Sequence, residues 1–536
     1  MKTISRRIKV AAPFLSLLSI LSGADPTNQR IDAMFSRFTP ATPGCALGVI
    51  QDGVFVYRRG YGLASLELGV PLTSASVFYM GSVSKQFTAA AVVLAAEQGK
   101  LSLDDNIRRY IPELPDYGAP ITLRQMLHHT SGLRDIFQLL FLAGRDPADI
   151  HPTDELMDLV TRQKSLDFQP GAEYSYSNTN FFLAGQVIKR VTGQSFSAFT
   201  EANIFRPLGM THTHFHDDRT AVVPGRVAGY SPRGSAFRVD WSLNFEKVGD
   251  GGLMSSVDDM LLWDRNFYQN RLGKGTLLKE LQTRGTLNDG RKIGYALGLE
   301  IGEYRGLPTV AHGGDLFGYR TEILRFPEQR FSVVCLCNLS DADPADLASR
   351  VADAYLESRM KPAVKASSAP SGASSAATLA GRYYDPTAHR LIVLSGRDGA
   401  LFYEDQTYRP AAANRFESGL NTMVFDGPRL TITQPDATVF RGARAPDNQP
   451  VESALETYTG LYRCPELDAV YTVRVDSGSL VYRAGWNPPV RLVPTVPGEF
   501  HGPDIDLAFH RDSSGKVTGF AAYSGRVRGI TFQKSN

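Results

Sequence analysis

From Phe87 to Gln98 the chain is almost entirely Ala, Val, Leu and Phe, and Gly99 closes the run as a helix C-terminal glycine does. At the head of this apolar helix stands Ser82-Val83-Ser84-Lys85. Helix positions i and i+3 share a face, so Ser82 and Lys85 can touch. A serine hydroxyl is a poor nucleophile until a neighbouring base takes its proton. A lysine can do this once burial and nearby positive charge or dipole favour its neutral amine. Taken alone, Ser-x-x-Lys is weak, because the spacing arises by chance in most long chains. A helix-capping serine near a solvated lysine is its plain structural reading.

Two further segments change that weight. Tyr176-Ser177-Asn178 lies in a polar turn, Phe168 to Asn180, that leads into an apolar helix from Phe181 to Val191. His312-Gly313-Gly314 follows a short strand, Leu307 to Ala311. In this order and at these separations the three segments resemble the serine acyl-transferases that share the class C β-lactamase and D-Ala-D-Ala peptidase fold. Within that family the chain is similar to the three-domain bacterial D-aminopeptidases. The similarity rests on Ser82 to Thr88, Ser131 to Asp135, Gly249 to Leu253 with Asp259-Met260, and His312-Gly313-Gly314 with Gly318 and Arg320. In the last domain it rests on Gly460-Leu461-Tyr462 with Glu466 to Ala469. Those enzymes send a loop of their third domain into the active site. The corresponding stretch here, near Val481 to Val490, is shortened.

The resemblance implies the roles. Ser82 is expected as nucleophile, at a helix start where a backbone N–H and the helix dipole stabilise an oxyanion. Lys85 is either the general base or the cation that lowers the pKa of Tyr176, whose phenol ordinarily titrates near pH ~10. Asn178 carries an amide suited to Lys85 and a substrate carbonyl. His312 stands where many relatives carry a lysine that binds a substrate carboxylate. A largely neutral imidazole there favours amides, esters or aminopeptidase substrates. Asp315 is expected to give its N–H as second oxyanion donor, and its carboxylate stands at the edge of the site.

The rest of the chain reads as an α+β organisation. A helix near Gln29 to Phe38 leads to a hairpin, Ala46 to Ile50 and Val54 to Tyr57, turned at Asp52-Gly53. Strand-rich sequence returns at Gly298 to Ile301, Val310 to His312, Arg320 to Phe326 and Phe331 to Cys337. A helix from Ala345 to Arg359 follows. Strands at both ends with helices between predict one antiparallel sheet flanked by helices and completed by the two chain ends, with a helical subdomain. Lys361 to Ala377 has linker composition. Short alternating strands beyond it, opening at Leu379 to Tyr384 and again at Tyr458 to Tyr462, predict two small antiparallel β-barrels of one duplicated type. The expected divisions are 1–24, 25–360, 361–378, 379–446 and 447–536.

Residues 1–24 have a basic head, an apolar run from Val10 to Leu21 and a small-residue end at Ser22-Gly23-Ala24. This is a secretory signal pattern, with an uncleaved anchor as the alternative, and it predicts a secreted or periplasmic enzyme. A net charge of +2 gives no reason to expect nucleic acid or an anionic membrane as partner. No later run is long enough to span a bilayer. The expected partner is a small-molecule or short-peptide substrate, with a homodimer possible and no cofactor. His212, His214 and His216 alternate as zinc ligands can, but they follow Pro207 to Thr211, a structural segment common in the family, so no metal site is assigned. His128 and His129 are expected to cap and pack their turn. Cys335 and Cys337 share a strand face and cannot readily pair with each other. With Cys45 and Cys464 they are expected as buried free thiols.

Overall fold

The computed structural model describes residues 25–146, 149–240, 246–362, 375–403, 406–418, 421–433, 439–446, 454–485 and 487–535. The signal at 1–24, most of the linker (363–374) and Trp486 of the shortened loop lie outside the described residues.

Helix α1 (Pro26–Met34) precedes strands β1 (Cys45–Gln51) and β2 (Val54–Tyr61). It begins earlier than the sequence predicts because the Asp25 side chain caps it and Pro26 suits its first turn. Asp52 and Gly53 both hold positive φ, as a two-residue hairpin turn requires. The apolar helix α2 (Ser84–Glu97) is buried from Ser84 to Ala95, which accounts for its lack of a polar face. Helix α3 (Asn178–Thr192) ends at Gly193 in the left-handed conformation.

The returning chain adds β3 (Glu300–Tyr304), β4 (Leu307–Leu316), β5 (Tyr319–Phe326) and β6 (Phe331–Cys337), then helix α4 (Pro344–Leu356). All pair antiparallel in one six-stranded sheet, in the order β3-β4-β5-β6-β1-β2. Both ends of the domain therefore meet at β1 and β6. Alternate residues of β1 face opposite cores. Ala46 and Ile50 pack on the α2 side, and Leu47 and Val49 pack on the α1 and α4 side. Burial on both faces makes β1 and β6 read as continuous apolar runs.

Two sequence expectations are corrected here. His312 lies within β4, not after it. Cys45 and Cys337 are directly opposite in the β1–β6 register and form a disulfide, while Cys335 and Cys464 are free and buried. Only the register of two distant strands brings that pair together, which cysteine spacing does not convey.

Beyond the linker, strands from Gly381–Asp385 to Val439–Arg444 close an eight-stranded barrel, and strands from Gly460–Cys464 to Val527–Lys534 form a nine-stranded sheet that nearly closes. The two openings are built alike. Gly381 and Gly460 both hold positive φ. Tyr383 donates to Leu379 O at 2.9 Å and Tyr462 to Tyr458 O at 2.6 Å, the same four-residue reach. This supports duplication of one unit.

The last sheet is bolted to the first domain through buried Arg134. Its guanidinium bonds Asp167 at 3.3 Å, Glu466 of the last sheet at 3.0 Å and the Arg528 carbonyl at 3.3 Å. Arg134→Ala would leave the buried Asp167 side chain and the partly buried Glu466 without their cation, a change that costs about 3–5 kcal/mol in fully buried pairs. A lowered unfolding midpoint, with early proteolytic release of the C-terminal region, is the expected result. An unchanged midpoint would show that apolar contact alone holds the two parts together.

Candidate active site

Ser82 sits in a single 3₁₀ turn, Gly81–Val83, that runs directly into α2. β4 passes hard against this turn. A Cβ on Gly81, which holds positive φ, would lie 2.8 Å from Asp315 N, and one on Gly314 would lie 2.1 Å from Met80 O. Only glycine allows the nucleophile turn and the strand this approach. Thr321 of β5 fixes it by donating to Met80 O at 2.9 Å.

Lys85 points from the first turn of α2 into a dry interior and is 0% exposed. Its Nζ has three partners: Ser82 Oγ at 2.9 Å, Asn178 Oδ1 at 2.9 Å and the Asp250 carbonyl at 2.8 Å. Two of these can only accept. Asp250 O is a carbonyl, and the Asn178 amide is oriented because its Nδ2 and backbone N–H both donate to Asp135, at 2.9 and 2.7 Å. A neutral amine has two hydrogens and one lone pair. With both hydrogens directed to Asn178 and Asp250, the lone pair is left for the Ser82 hydroxyl.

The electrostatics agree with that count. Burial pulls the Lys85 amine down to about 7, with Lys247 and Arg526 adding to the shift and Asp250 and Asp135 opposing it. Burial raises Tyr176 well above the ordinary phenol range, although hydrogen bonding to Ser82 and the charge of Arg526 both act downwards. Tyr176 is therefore a protonated donor beside Ser82. Its ring lies 4.7 Å from Lys85 Nζ. Between the two alternatives left by the sequence, these shifts favour Lys85 as the group able to take a proton.

His312 is buried, and both ring nitrogens are engaged. Nδ1 bonds Gly313 O at 2.6 Å, so it carries the proton, and Nε2 accepts from the Tyr295 hydroxyl at 2.8 Å. Burial, then the nearby Lys85, lowers it to about 3, so the ring is neutral at physiological pH. Asp315 turns its carboxylate away to the rim, where it pairs with Arg320 at 2.6 Å. His212 lies 3.6 Å from Asp259, whereas His214 and His216 face each other at 3.4 Å, so the alternating histidines diverge.

Several members of the site were not read from the sequence. Asp135 orients Asn178 and also caps the helix Ile136–Leu142. The His129 ring packs tilted against Tyr176, centroids 4.2 Å apart, and accepts from Ser177 N at 3.0 Å. Both lie in or beside segments that carried the family resemblance, which was the available signal. Arg526 comes from the last sheet, in the turn before Val527–Lys534, and lies 5.0 Å over the Tyr176 ring. The last sheet thus reaches the site through the turn that carries Arg526. Ser82, Tyr176, Asn178, His312 and Arg526 all line one cavity of ≈ 580 Å³.

Residues 31–356 match the β-lactamase family, and the chain belongs to it. It is a serine hydrolase of that family. Relatives spanning nearly its full length are D-aminopeptidases. That of Brucella canis is 26% identical over 92% of this chain and 96% of its own, and that of Brucella anthropi is 27% identical over 92% and 95%. Among solved structures, an octameric penicillin-binding protein homologue from Pyrococcus abyssi shares the fold at TM-score 0.58 and 19% identity, over 87% of this chain and 99% of its own. D-amino acid amidase from Ochrobactrum anthropi SV3 does so at TM-score 0.52 and 22% identity, over 62% and 99%.

Because burial lowers the Lys85 amine to about 7, its neutral fraction rises with pH through that value. Labelling of Ser82 by a fluorophosphonate should therefore accelerate through that midpoint and level off above it. A profile flat across this range would separate Lys85 from activation of Ser82.

Proposed function

We propose that the protein is an exported aminopeptidase or amidase that acts on D-amino-acid amides and short peptides through an acyl-enzyme on Ser82. The observation that carries this reading is His312. It is neutral and closed by Tyr295 where many relatives carry a lysine, so β4 offers no cation to a substrate carboxylate. Full-length similarity to D-aminopeptidases supports the same conclusion. Export is supported by the Cys45–Cys337 disulfide, since such bonds persist in oxidising compartments.

In the proposed reaction the Ser82 hydroxyl passes its proton to Lys85 Nζ as Oγ attacks the substrate carbonyl. The N–H groups of Ser82 and Asp315 receive the oxyanion. Tyr176 donates to the leaving amine, and the proton held by Lys85 then passes to the phenolate beside it. An incoming water reverses the sequence and frees the acid. Asn178 and Asp135 keep the lysine lone pair aimed. His312 positions and does not titrate.

A second reading, an esterase or a D,D-carboxypeptidase-like or β-lactamase-like hydrolase, is favoured by Arg526, a cation in the cavity that suits a substrate carboxylate. Release of amine from D-alanine amide, compared with hydrolysis of a short p-nitrophenyl ester, separates the two. Failure to cleave any D-configured amide would end the aminopeptidase version. Self-association, as a homodimer, belongs to the same proposal and is checked by light scattering.

Lys85→Ala and Tyr176→Phe should each lower acylation by about 10²- to 10⁴-fold, the usual weight of general acid–base catalysis. The double variant should be barely worse than the worse single, because the two groups work as one unit. Pre-steady-state acylation rates decide this, and fully additive losses would refute the shared proton path.

A further inference from the structure

We propose that Glu322, with Glu300 beside it, forms a subsite for the free ammonium group of the substrate, opening from the reaction cavity next to Gly313. The inference rests on the amidase reading of that cavity and names the substrate feature the cavity selects.

Glu322 and Glu300 line the same cavity as Ser82. Glu322 stands on β5 directly across from Gly313 of β4 and is 8% exposed. No hydrogen bond or ion pair engages its carboxylate among the described residues. The charged groups that act on it are Glu300 and Asp343, both acidic. Asp343 is itself occupied in capping α4, where it accepts from Asp346 N at 2.9 Å. A buried carboxylate without a donor is unfavourable, and native structures rarely leave one so unless a ligand supplies the partner. Burial and the two neighbouring acids push its carboxyl up to about 8, which is where the lack of a cation shows.

The protein's own cations near the cavity are placed elsewhere. Arg320 is held by Asp315 at the rim. Lys85 is enclosed by its three partners on the other side of β4. Arg526 lies over Tyr176. An incoming ammonium is the missing charge.

Two features of the strands give it access. A Cβ at position 313 would lie 3.0 Å from Glu322 Oε2, so a side chain there would crowd the carboxylate and close it from the cavity. β3 pairs with β4 only as far as Glu300 opposite Ala311, so among the described residues no strand covers that side of the edge from His312 to Leu316.

The test uses the full-length enzyme and two esters that differ only in the amine: D-alanine methyl ester and N-acetyl-D-alanine methyl ester. The unaltered enzyme should prefer the free amine. Glu322→Gln should cut the ratio of kcat/KM values between the two by about 10- to 100-fold, the factor carried by a hydrogen bond to a charged group. Gly313→Ala, which leaves both acids in place, should shift the ratio in the same direction. Equal losses on both esters, or an unchanged ratio, would overturn the subsite. Because both substrates are esters, cleavage of this pair without cleavage of any D-amide would sink the aminopeptidase reading and still judge the subsite. No turnover of either ester by the unaltered enzyme would overturn both.

Discussion

The catalytic domain is organised around the cost of burying one amine. A lysine removed from water and left charged would be strongly unfavourable, so the interior either pairs it or neutralises it. Here no carboxylate touches Lys85 Nζ; its acceptors are an amide, a carbonyl and a hydroxyl. They satisfy a neutral amine completely and give a charged one no counter-ion. The apolar surface of α2 removes the water, and the Gly81–Gly314 contact lets β4 close over the turn that carries Ser82. The same packing that makes the core dense lowers the basicity of the lysine enough to leave its amine unprotonated near neutrality.

The support behind the first layer of contacts follows from that requirement. Asn178 must present its oxygen, not its nitrogen, to Lys85, and Asp135 settles the orientation by taking both the side-chain and the backbone N–H. Asp250 offers its carbonyl while its carboxylate contacts Lys247, so the loop brings a balanced charge pair close to the amine. Lys247 acts on Lys85 in one direction and Asp250 in the other, which leaves burial as the leading cause of its low pKa. His312 extends the same economy to β4. An ammonium at that position would stand against Lys85, whereas an imidazole engaged by Tyr295 and Gly313 O adds no charge.

Much of this was legible in the sequence because the reactive groups are side chains in short, ordered motifs. Ser82, Lys85, Tyr176, Asn178 and His312 were each named from the motifs that carry the family resemblance, and the structure brings Ser82, Tyr176, Asn178 and His312 to one cavity with Lys85 bonded behind Ser82. The antiparallel sheet and the trailing barrels could be read from alternation and turn chemistry. The groups that went unread share a different origin. The Asp250 contribution is a backbone carbonyl, which has no residue-type signature. Glu322 matters through strand register, as does the Cys45–Cys337 bond, and register is decided by packing between distant segments. Asp135 was visible as a member of a familiar segment, but its two acceptor duties appear only when α3 is placed beside it.

Arg526 shows how far such long-range placement extends. It lies ten residues from the end of the chain, in a region whose composition suggests an accessory barrel. Yet its charge opposes protonation of Lys85 and favours ionisation of Tyr176, so it acts on both groups beside Ser82. That influence depends on a fixed position. The neighbouring Arg528 supplies the carbonyl that Arg134 binds, and Arg134 also holds Glu466 of the same sheet. The anchor and the charge that reaches the cavity are thus two residues apart, one in the strand Val527–Lys534 and the other in the turn that leads into it. Tension at the domain contact would be felt at the active site, which makes the last sheet part of the electrostatic setting of Ser82 and not merely a cover over it.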